Sequence, residues 1–114
     1  MTDLVTWLRA QLDDDESGAQ AIGPNVQLDD PRLTDGEIAH VTRWGRTRAL
    51  AEVDAKRRHI ARWERTNALL AAADNPGAIR NELLSVRRAF ADVIADDALP
   101  YADRPGYRDE WRPA

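Results

Sequence analysis

The sequence predicts an all-α protein: a long antiparallel helical hairpin, an N-terminal helix laid on it to make a three-helix bundle-like body, and an aromatic C-terminal tail packed on that bundle. Three observations predict it. Residues 46–73 and 76–97 each carry large apolar side chains at the three-and-four spacing of a helix seam. Only Asp74-Asn75-Pro76-Gly77 interrupts them, and short connections join antiparallel neighbours. Residues 2–16 carry a third apolar stripe.

The first helix, over 2–16, starts from Thr2 as N-cap with Asp3 at the positive end of the helix dipole. Leu4, Val5, Leu8 and Leu12 form its stripe, with Trp7 on the flank, and Ser17-Gly18 is the expected stop. Asp13, Asp14, Asp15 and Glu16 crowd its C-terminal end, where the dipole disfavours negative charge. They therefore meet either basic residues of the same chain or an outside partner. Residues 17–40 read as a linker, punctuated by Gly23-Pro24, Asp30-Pro31 and Asp35-Gly36.

The second helix, over 46–73, is the longest element at about 42 Å. Gly45 marks its start or a kink. Leu50, Val53, Ile60, Trp63 and Leu70 form its seam, interrupted by Arg57 and Asn67. Asn75 can cap the third helix, over 76–97, with Pro76 at its first position. Ile79, Leu83, Val86, Phe90 and Val93 step by 4, 3, 4 and 3, the cleanest seam in the chain. These seams pair within one chain or between two chains, and spacing alone does not choose. In the tail, 98–114, Tyr107 and Trp111 are four residues apart and share a face of any final helical turn.

Composition bounds the rest. At 114 residues the chain has room for one domain, 1–114. Leu, Ile, Val and Phe total 23, close to the disordered range, and four Trp with a net charge of only −4 tip the balance toward folding. The absence of Cys excludes disulfides, a thiol nucleophile and a cysteine-based zinc site. No apolar run reaches the length of a membrane helix, and the N-terminus lacks signal-peptide features, so a cytoplasmic protein is expected. Charge divides the chain into acidic 1–37, basic 38–90 and acidic 91–114, which suits acidic ends folding back on a basic middle. Fifteen Arg stand against one Lys, Lys56, a bias that GC-rich codon supply produces by itself.

Three segments carry a resemblance. Residues 3–13 (DLVTWLRAQLD), 49–58 (ALAEVDAKRR) and 99–113 (LPYADRPGYRDEWRP) resemble, in order and spacing, a family of small actinobacterial and actinophage proteins known only as a domain of unknown function. The resemblance covers roughly a third of the chain and implies a lineage without an activity. It implies an accessory or host-interaction setting, including a place in a phage particle. The family pattern carries Cys and His between its middle and closing segments. Here that stretch is a Cys-free helix, so no metal-binding idea carries over.

No catalytic residue, metal ligand or cofactor motif emerges. Asp35, Glu37 and His40 cluster without a recognised ligand spacing, and Ser17 and Ser85 lack a paired His. His59 sits in the basic stretch, where neighbouring cations favour its neutral form. Arg58, Arg62 and Arg65 fall on one helix face and make a candidate phosphate track for nucleic acid, against an isoelectric point near 5.1 and acidic flanks. Trp44, beside Arg43 and Arg46, is the best candidate for an exposed protein-binding anchor, since Trp and Arg dominate interface hot spots. Trp7, Trp63 and Trp111 are expected in the core. The expected function is a non-enzymatic interaction or assembly module, with a nucleic-acid-associated regulator as the alternative.

Overall fold

The computed structural model describes residues 1–21, 32, 34–72 and 74–114; within the second helix, the side chains of 39–43 also lie outside the description. The element order is α1 (Thr2–Ala21), α2 (Asp35–Ala71) and α3 (Gly77–Ala98), followed by 3₁₀ turns at Leu99–Tyr101 and Asp109–Trp111. No strand occurs among the described residues. The all-α hairpin with a covering helix and packed tail is the architecture found.

Two helices exceed their expected bounds. α1 runs through Ser17-Gly18 to Ala21 because Ala19 is buried and the acidic end is paired. The expected linker thus loses 17–21 to α1 and 35–40 to α2; residues 22–31 and 33 lie outside the described set. α2 starts at Asp35 rather than 46 because Thr34 and Glu37 close a capping box. The Thr34 hydroxyl accepts from the Glu37 N–H at 3.2 Å, and the Glu37 carboxylate accepts from the Thr34 N–H at 3.1 Å. Gly45 neither starts nor breaks the helix. With 37 residues, α2 spans about 55 Å and sets the long axis of a body 64 × 26 × 20 Å.

The connection after α2 also differs in detail. Asn75 does not cap α3. Its side-chain amide instead donates to the Leu69 and Ala72 carbonyls at 2.5 and 3.3 Å, joining the Ala72 N–H on the Leu69 carbonyl at the end of α2. Pro76 is the N-cap of α3, without a side-chain hydrogen bond.

α1 runs antiparallel to α2, tied by Arg9 to Glu64 at one end and by Arg57 to Asp13 and Glu16 at the other. α3 returns antiparallel to α2, with Arg87 donating to Asn67 at 3.4 Å and His59 Nδ1 lying 2.5 Å from Asp97. Leu4, Val5, Leu8 and Leu12 of α1 meet Val53 and Ile60 of α2 and Ile94 and Ala98 of α3 in one core. The α2 seam therefore closes within the chain. Arg57 and Asn67, which interrupt it, are the residues that reach sideways to α1 and α3.

The α3 seam is rotated from expectation. Ile94 and Ala98 are fully buried, while Ile79 and Val86 are 48 and 42% exposed. Two sets of contacts accompany this rotation. α2 offers polar partners to Arg87 and Asp97, and Ile94 and Ala98 join the core of α1, with Ala95 and Trp111 packed against it.

Trp7 holds the tail. Its ring packs on Tyr107 and Trp111 at centroid distances of 5.4 and 5.7 Å, and those two rings stand 5.6 Å apart, edge to face. Its indole N–H donates to the Pro105 carbonyl at 3.0 Å. Gly106 turns the chain there with φ of 91°, and a Cβ on it would lie 2.8 Å from the Trp7 indole nitrogen. Glycine alone fits both demands. The Tyr107 hydroxyl is enclosed with no hydrogen-bond partner among the described residues. Tyr107→Phe removes that unsatisfied group, so chemical denaturation should show equal stability or a gain of up to about 1 kcal/mol.

Candidate interaction face

Three of the four acidic residues at the end of α1 are paired within the chain, and Asp14 is exposed with no ion pair among the described residues. Arg57 holds Asp13 and Glu16, and Arg104 from the tail meets Asp15 at 2.9 Å. Hydrogen bonds from the Arg57 guanidinium to Glu16 and Asp13 raise its pKa above the ordinary arginine value. The Tyr101 hydroxyl donates to Asp15 at 2.7 Å and accepts from Lys56 at 3.2 Å, while Lys56 and Arg104 lie over its ring. Burial, then the Asp15 carboxylate, pushes the Tyr101 pKa up.

This network has a pH signature. A raised pKa means that stability is fully present below the unfolded value of about 10 and is lost as pH rises through the folded value. The stability advantage of the wild type over Tyr101→Phe should therefore shrink between pH 9 and the alkaline unfolding region. Denaturant titrations at several pH values check this, and a constant advantage would contradict it.

The described residues offer little for catalysis or metal. No group of three or more His, Asp or Glu converges on one point among them. Glu37 is committed to the Thr34 cap, and the His40 side chain lies outside the description. His59 faces Asp97 across the α2–α3 contact, a carboxylate that its cationic sequence neighbours do not reveal. A cleft of about 240 Å³ between α3 and the tail, lined by Ala91, Asp92, Ala95, Trp111 and Pro113, brings no nucleophile or histidine together.

What the fold leaves open is one side of the hairpin. α1 lies mainly on α2 and meets α3 in the core around Ile94 and Ala98. α2 turns Arg57 and Glu64 toward α1. A step of about 100° per residue then puts Trp44, Ala51, Arg58, Arg62, Arg65 and Leu69 on the far side, and all six are exposed. Trp44 is 62% and Leu69 47% exposed. On α3, Ile79 and Val86 look out on the same side, with Leu83, Phe90 and Val93 half-buried beneath them.

The candidates named from sequence fall unequally on this surface. Trp44 shares its stripe with Arg58, Arg62 and Arg65, so the two candidate sets form one face. Arg46 is half-buried and turned away from it, and the Arg43 side chain lies outside the described set. Arg58 is paired along the helix with Asp54 at 3.0 Å. Arg62 and Arg65 make no side-chain ion pair among the described residues. Trp7, Trp63 and Trp111 pack half-buried against the core. Sequence reasoning missed the open α3 flank, because periodicity reports an apolar stripe and not what covers it.

The fold and this surface define a class: a small helical hairpin protein, covered on one side and bare on the other. The chain belongs to a family of unknown function, DUF6221, whose description matches residues 1–113. No curated protein and no solved structure matches it. No helix among the described residues is long and apolar enough to cross a membrane.

Proposed function

We propose that this protein is a non-enzymatic interaction or assembly module that binds a protein partner through the bare side of the hairpin. The setting is cytoplasmic, actinobacterial or phage-encoded, and the role is accessory, host-directed or in a phage particle. The observation that carries the reading is the set of exposed apolar side chains Leu69, Ile79 and Val86 on the same side of the hairpin as the exposed Arg58, Arg62 and Arg65. Contiguous apolar surface rimmed by charge marks a contact site, and arginine with large apolar side chains is the composition that hot spots favour.

The test is a photo-crosslinking side chain placed at Val86 in the expressing cell, with Gln20, exposed on α1, as control. Protein adducts from Val86 and none from Gln20 are expected. Absence of any adduct from Val86 would remove the proposal.

A nucleic-acid role draws support from Arg62 and Arg65, which make no ion pair among the described residues. Against it stand Glu52, Asp54 and Glu64 on the same helix and a net charge of −4. Arg58→Glu, Arg62→Glu and Arg65→Glu in one chain separates the readings. Salt-sensitive DNA binding that the triple variant loses would favour the nucleic-acid reading.

A further inference from the structure

We infer that the occupant of the bare hairpin side is a second copy of this chain, packed face to face about a two-fold axis running along the hairpin. The inference rests on the interaction reading above and names its partner.

The register within one copy supplies the argument. Asn67 lies level with Arg87, and His59 with Asp97. By the same register Leu69 lies level with Val86, and Arg58 with Asp96. A two-fold axis along the hairpin keeps every residue at its level while laying α2 of one copy over α3 of the other. Leu69 then meets Val86 of the second copy, and the aliphatic stem of Arg62 lies across Val93. At the rim, Arg58 and Arg62 face Asp96, an exposed carboxylate with no ion pair among the described residues. The same contacts recur at the other edge, as a two-fold interface requires. Apolar surface thus covers apolar surface, and opposite charges meet at both rims.

The pattern of α3 is also a coiled-coil seam left half open, and a second copy is the occupant whose own surface repeats it.

Charge exchange tests the pairing. One variant carries Arg58→Glu and Arg62→Glu; the other carries Asp96→Arg. Each alone sets like charges against each other at both rims, whereas a one-to-one mixture restores attraction at both. Light scattering after size-exclusion chromatography, at low salt, should give the wild type twice the 12.8 kDa chain mass. Each variant alone should run as a monomer, with helicity by circular dichroism unchanged, and the mixture should return to the doubled mass. A monomeric wild type, a mass beyond two copies, or a mixture that stays monomeric would each overturn the inference. A monomeric wild type whose Val86 still crosslinks to a different protein overturns the second copy as occupant and leaves the interaction reading standing. A monomer with no adduct overturns both.

Discussion

Trp7→Ala should cost about 3 kcal/mol, the low end for a Trp-to-Ala change because the ring is half-buried. The loss combines contact with Tyr107 and Trp111 and the indole bond to Pro105. It also empties the seat against which Gly106 is turned. A small domain has about 5–15 kcal/mol in total, so this one change should lower the thermal midpoint by roughly 10 °C or more. Release of the tail gives a second readout. Limited trypsin digestion should cut the tail after Arg108 in the variant well before it cuts the wild type, while Arg104 and Arg112, each followed by proline, stay uncut in both. Equal midpoints and equal digestion would mean that the tail is held by other contacts.

Ile60→Ala and Ile79→Ala should part company, although both remove an isoleucine from a helix seam. Ile60 is 1% exposed, at the junction of α1, α2 and α3. Its truncation leaves a cavity and should cost about 2–5 kcal/mol. Ile79 stands on the bare side, so its truncation should stay within about 0.5 kcal/mol when unfolding is followed on dilute protein. Comparable losses at both sites would mean that the α3 flank is part of the monomer core.

The hairpin was legible in the sequence for a physical reason. Asp74-Asn75-Pro76-Gly77 admits no continuous helix, and the apolar residues on either side repeat at helical spacing. The start of α2 was legible in principle, since Thr34 and Glu37 have capping-box spacing. Gly36 and Gly45 masked it. Each glycine costs a helix only about 1 kcal/mol, which a good cap offsets. The acidic end of α1 pointed to cations without identifying them, because Arg57 and Arg104 lie more than forty and almost ninety residues away along the chain. Gly106 carried no signal. Its positive φ is imposed by the approach of Trp7, a contact between opposite ends of the sequence.

The candidate surface was half legible. Helical spacing groups Arg58, Arg62 and Arg65, and its arginine neighbours single out Trp44. That they share one face required the helix to continue through Gly45. The Ile79–Val93 seam is legible in the sequence, but its spacing does not say whether it closes within the chain or between chains. Its true rotation depends on Asn67 and His59 drawing Arg87 and Asp97 toward α2. Pairings of polar side chains across an apolar seam are invisible to a pattern of hydrophobic residues.

Val86→Asp tests the central claim that the bare hairpin side is a contact surface and not an unfinished core. The measurement is mass by light scattering together with the thermal midpoint, for wild type and variant at matched concentration. The account predicts a folded variant with wild-type helicity that no longer associates. A variant that unfolds as Ile60→Ala does, or that associates as the wild type does, would contradict it.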